Sequence, residues 1–111
     1  MIKQSITALT FMSLTFLMMQ TGVAHAATTG DAKAGAKKVA MCAACHGATG
    51  HSAINIYPNL AGQHANYLES ALKAYRSGER AGGMSAMMTP QAANLSDQDI
   101  ADIAAYFSTQ K

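Results

Sequence analysis

Tryptophan is absent from this 111-residue chain, and aromatic residues make up only 6% of it. Prolines number two, cysteines two, and charged residues amount to 13% with a formal net charge of +2. Each scarcity excludes something. Two cysteines permit at most one internal disulfide, so a scaffold stapled by several bridges is ruled out. The balance of charge supplies no concentrated basic patch, so there is no nucleic-acid footprint. No alternating apolar pattern of useful length is present, which argues against sheet, and no internal repeat is found. The length suits one domain.

What is present begins with a leader. Lys3 gives a short positive start, and Ile6 to Met19 is mostly apolar, followed by Ala24-His25-Ala26. This is the order of a secretory signal peptide. The apolar run falls short of the roughly 20 residues that span a bilayer and contains Ser13 and Thr15. Residues 1–26 are therefore expected to be a cleaved signal, with a retained anchor as the alternative. The mature domain is then 27–111, directed to the periplasm, with acids and bases nearly in balance and no stable membrane insertion. A chain so short builds a thin core and usually needs a disulfide, metal or cofactor to hold it.

The mature stretch reads as all-α. Asp31 is a plausible N-cap for a helix over about 32–45, with Gly35 inside it as a point of close helix packing. Residues 48–63 read as loop. Residues 64–77 carry Leu68, Leu72 and Tyr75 at helical spacing, and Gly78 suits a C-terminal cap. Residues 79–94 read as a second long loop. Ser96 opens a last helix whose first turn holds Asp97 and Asp99 and whose apolar stripe is Ile100, Ile103, Ala104 and Phe107.

The chemistry is concentrated in Cys42-Ala43-Ala44-Cys45-His46. C-x-x-C-H is the attachment motif for c-type haem. Residues three apart share a helix face, so two thiols so placed can each bond one vinyl group of a porphyrin. His46 then serves as the proximal iron ligand. Other readings are a thioredoxin-like redox pair, a zinc site completed by His51 and His64, or a plain disulfide. The first lacks its βαβ context and the second is short of ligands.

An electron-transfer haem needs a sixth ligand, usually Met or His. Met84, Met87 and Met88 crowd one segment, and spacing alone does not choose among them. His51 and His64 are weaker candidates. Three methionines there argue against an open sixth site. A ligating His normally donates its other ring N–H to a carbonyl or carboxylate. Pro58 lies in the loop expected behind His46, and its carbonyl is a candidate acceptor; otherwise Pro58 only shapes a turn.

On CAACHG at 42–47, PNLAGQ at 58–63, Tyr67-Leu68, the Met88 region and LSDQDIADIAAYF at 95–107, the chain resembles class I c-type cytochromes. It is most similar to the small bacterial mono-haem domains of the c-four and c-five-five-three kind. The resemblance covers nearly all of the mature chain. It implies a cytochrome c-like fold of three main helices and long loops wrapped around one haem. In that family a Met lies seven residues before the Leu of the LSD segment, which implies Met88 as distal ligand, with Met84 and Met87 as fallbacks. It also implies that Pro58 supports His46 and that Gly35 approaches Tyr106 or Phe107. The c-four kind carries two such domains in tandem where this chain has one.

The expected function is a periplasmic electron carrier, not an enzyme. It would be a monomer with one covalently bound haem c, passing single electrons between redox protein partners through small, transient contacts. Lys33, Lys37, Lys38, Arg76 and Arg80 either steer an acidic partner or form an ordinary solvated surface. The alternatives are a haem c subunit docked to a periplasmic dehydrogenase or oxidase, and an open-site haem sensor or enzyme.

Overall fold

The computed structural model describes residues 27–111; the expected signal segment lies outside the described residues. Five helices follow in order: α1 (Ala32–Ala36), α2 (Ala40–His46), α3 (Ala65–Ser77), α4 (Ser85–Ala92) and α5 (Asp97–Ser108). No strand occurs among the described residues. No helix there is long and apolar enough to cross a membrane.

The N-terminal helix expected over 32–45 is two helices. Asp31 does cap the first, its carboxylate accepting from the amides of Lys33 and Ala34 at 2.7 and 3.2 Å. The amides of Lys37 and Lys38 then bond back only three residues, to Ala34 and Gly35, at 3.1 and 2.8 Å. That tightened turn ends α1, and the β-branched Val39 restarts the chain as α2 in a new direction.

Two forces hold α1 where it stands. It packs on α5, and Gly35 permits the contact: a Cβ there would overlap the carbonyl of Asp102 and come within 2.8 Å of Tyr106 Cβ. The expected approach of Gly35 to Tyr106 is therefore present. Replacing Gly35 by valine forces two backbones apart, at a cost of about 1–3 kcal/mol or more. For a domain of this size that lowers the thermal midpoint by on the order of 10 °C, measurable by calorimetry.

The second force is a polar cluster not foreseen from the sequence. Asp102 is only 2% exposed. One carboxylate oxygen accepts from the Asp31 amide and the Gln98 side chain, both at 2.8 Å. The other meets Lys38 Nζ at 2.7 Å, and the same ammonium reaches Asp99 at 2.7 Å. Buried charge survives only where it is paired and hydrogen-bonded, and this cluster meets that condition. Lys38 is thus a structural cation rather than a free surface charge.

The Lys38 ammonium holds the Asp99 carboxyl at about 2, with help from the Ser96 amide. A carboxyl whose folded pKa is depressed stabilises the fold above its unfolded value, near 3.9, and loses that contribution as pH falls toward 2. The stability gap between the native protein and Asp99→Asn should therefore be constant from pH 7 to 5 and close between about pH 4 and 2. Thermal melts across that range check this.

Asp99 does a second job. Ser96 accepts its amide at 3.0 Å while its carboxylate accepts the Ser96 amide at 3.0 Å, a full capping box that starts α5. Helix α5 is the spine: Ile100, Ala101, Ile103, Ala104 and Phe107 are all buried. Val39 and Leu68 complete the core with Ile103, Ala104 and Phe107. Helix α3 begins at Ala65, one residue later than expected, and ends as expected at Gly78, whose φ of 79° is left-handed.

Residues 79–94 differ from the expected loop, because α4 lies within them. Its apolar residues do not recur at helical spacing, and Pro90 sits inside it, removing one ladder donor. The helix forms because it packs on α3, and Thr89 Oγ1 donates to the Ser85 carbonyl at 3.2 Å across its first turn.

Candidate functional site

The apolar core is small, yet Met41, Ile56, Tyr67, Met84 and Met87 are exposed. All five line one cavity of about 600 Å³. Its wall is also the inner side of the core, including Leu68, Ile103 and Phe107. The domain therefore wraps an apolar space of cofactor size rather than closing on itself.

Helix α2 supplies one wall. Its alanines favour helix, and it stops at Gly47, where φ is 83° and a Cβ would collide with the His51 carbonyl. Cys42 and Cys45 lie one turn apart, both half-buried, and both line the cavity. Burial pushes the Cys42 thiol up from its ordinary value. His46 follows, 5% exposed, on the same cavity.

The chain then doubles back behind His46. The Gly50 carbonyl accepts from Leu60 and Ala61 at 2.8 and 3.1 Å, closing the loop at its base. Asn59 Oδ1 accepts the Ser52 amide at 2.8 Å, and Ser52 Oγ lies 3.0 Å from the Cys45 carbonyl, tying the loop to α2. The Pro58 carbonyl lies 2.8 Å from His46 Nδ1. A carbonyl only accepts, so Nδ1 carries the proton and Nε2 keeps its lone pair. Ser52 and Asn59 escaped the sequence reading. Asn59 stands in the matched PNLAGQ segment, but nothing in the sequence pairs it with Ser52.

Helices α3 and α4 supply walls with Tyr67, Leu72 and Tyr75, and with Met84, Met87 and Met88. Met84 and Met87 are 54% and 45% exposed, whereas Met88 is half-buried. The cysteines, His46, Pro58 and all three methionines thus meet at one cavity. His51 and His64 do not line it; both are exposed, and His51 pairs with Thr49 at 3.3 Å. Among the described residues no three His, Cys, Asp or Glu side chains cluster as a metal site, which removes the zinc reading.

These residues fit a haem. Two thiols at helical spacing, a neutral imidazole with one nitrogen fixed, a soft thioether set and an apolar space are the donors and surroundings it requires.

Known proteins agree. Cytochrome c-554(548) of Halomonas halodenitrificans is 61% identical over 82 residues, covering 74% of this chain and 99% of that protein. Cytochrome c4 of Pseudomonas aeruginosa is 50% identical over 99 residues, covering 89% of this chain but 47% of its own length. The crystal structure of reduced recombinant cytochrome c4 from Pseudomonas stutzeri aligns with a TM-score of 0.61 at 45% identity, over 75% of this chain and 47% of that one. The chain thus spans nearly the whole of the first relative and about half of the cytochromes c4. Residues 32–111 match the family model for cytochrome c. On that match the chain belongs to the cytochrome c family, and it carries a covalently bound haem c for electron transfer.

Proposed function

We propose that the protein is a mono-haem carrier of the bacterial periplasm, held in solution as a monomer after loss of residues 1–26. Cys42 and Cys45 bear the haem through thioether bonds, His46 Nε2 is one axial ligand and Met88 sulfur the other. The observation that carries this reading is the convergence of all four side chains on one cavity, with His46 locked through Nδ1 to the Pro58 carbonyl.

When bound, haem supplies the one-electron chemistry, and a Met ligand raises its potential. The chain's residues do the rest. Pro58 fixes the imidazole's tautomer and plane. Leu68, Ile103 and Phe107 keep water from one side. Met88 fills the position a substrate would need, so no small molecule is turned over. Electrons leave through the open side, where contacts with a partner are brief. Arg76 is bound to Asp97 at 2.6 Å and to the Leu95 carbonyl at 2.8 Å, so with Lys38 it is structural. Lys33 and Lys37 are exposed and remain to steer an acidic partner.

Visible spectra of the periplasmic protein, oxidised and reduced, test the assignment. Sharp low-spin reduced bands with the weak far-red ferric band of Met sulfur ligation are expected. Covalent haem lacking that band, and responding to carbon monoxide, would overturn the carrier reading in favour of an open site.

A further inference from the structure

Haem brings more than iron to this cavity. Its ring carries two propionate carboxylates, ionised at neutral pH, and an ionised carboxylate is costly to place against apolar walls. The cavity wall is almost entirely neutral. Apart from His46, which is committed to Pro58, Arg80 is the one lining residue whose side chain titrates to a cation.

Arg80 is built into its place. Its amide donates to the Ala74 carbonyl at 3.0 Å, locking the turn that follows α3. Its guanidinium carbon stands 4.8 Å from the centre of the Tyr75 ring, a stacking arrangement that orients a planar cation. Tyr75 lines the same cavity. The other two cations of this region have carboxylate partners within the chain: Lys73 reaches Glu69 at 3.7 Å and Arg76 reaches Asp97 at 2.6 Å. Arg80 has none among the described residues, although Glu79 is its neighbour. Its forked donors, suited to a carboxylate, face a cavity that receives a carboxylate-bearing group. Arg80 is also exposed, so it sits where water reaches the wall and where an ionised substituent is best tolerated.

We propose that Arg80, stacked on Tyr75, is the carboxylate-recognition site for a haem propionate and thereby a determinant of the reduction potential. The proposal rests on haem occupying this cavity. A cation paired to a propionate cancels negative charge that would favour ferric iron, so it raises the potential. It also holds that propionate ionised across the working pH range.

The test is potentiometric titration of the haem-loaded protein from pH 5 to 8, for the native chain, Arg80→Gln and Arg80→Lys. In Arg80→Gln the ferrous-to-ferric ratio at fixed poise should fall several-fold, up to about tenfold, which is about 59 mV for one electron. A pH-dependent step absent from the native protein should appear in the mildly acidic range. Arg80→Lys, which keeps the charge, should restore most of the potential. The far-red Met band should persist in all three, separating this effect from any change of axial ligand. A native potential and flat pH dependence in Arg80→Gln, with that band intact, would overturn the proposal. Proton exchange at Arg80 Nε–H, followed by NMR in the native ferrous holoprotein, needs no variant. Slow exchange is expected, and exchange at the rate of a free guanidinium would also refute the pairing.

Discussion

Replacing Cys42 and Cys45 together by alanine should abolish covalent haem entirely. The two thiols lie three residues apart on α2, both at the cavity wall, and they are the chain's only cysteines. No other nucleophile on that wall can add to a vinyl group: the remaining α2 residues facing the cavity are Met41, Ala44 and His46. Acid–organic extraction of the double variant should carry all haem into the organic phase, while the native protein keeps its haem. Haem retained on the double variant after extraction would defeat the attachment assignment. Each single variant should keep one thioether bond and remain coloured. The folded state should suffer as well. Much of the apolar surface of Met41, Ile56, Tyr67, Met84 and Met87 has no cover in the protein alone. Losing a tethered group that binds only the folded chain withdraws the stabilisation that binding supplies.

The attachment motif could be read from the sequence because its chemistry is local: two thiols and an imidazole within five residues of one helix. The α5 stripe was legible for a similar reason, since its apolar residues repeat at helical period and Ser96 marks the start. Gly35 was legible as a close-packing point because a glycine within a helical stretch otherwise costs stability. What stayed hidden depends on contacts remote in sequence. The break between α1 and α2 goes with Lys38 being drawn to Asp99 and Asp102, more than 60 residues on. Helix α4 has no apolar period and contains a proline, so only its packing on α3 reveals it. Ser52 and Asn59 act on the Pro58 loop through hydrogen bonds that no spacing encodes. The methionines fall between these cases. Their crowding was visible, but their order of burial required the fold.

That order carries the other large prediction, on Met88. Met88→Ala should open the sixth coordination position, while Met84→Ala and Met87→Ala leave it closed. All three side chains line the cavity, so proximity alone does not separate them. Exposure does. Met84 and Met87 are about half exposed, and Met84 lies before α4 at its N-cap, where backbone constraint is weakest. Met88 is within α4, half-buried, and flanked by the turn that Thr89 ties to Ser85. A thioether held on a rigid helix loses less freedom on coordination than one on an exposed turn. In Met88→Ala the far-red ferric band should vanish and the ferrous protein should bind carbon monoxide. The potential should fall by on the order of 0.1 V, a modest part of the roughly 0.8 V range that axial ligands govern. An unchanged low-spin spectrum in Met88→Ala would remove Met88 from the iron. Loss of the band in Met84→Ala or Met87→Ala instead would show that a more exposed thioether closes over the haem when it binds.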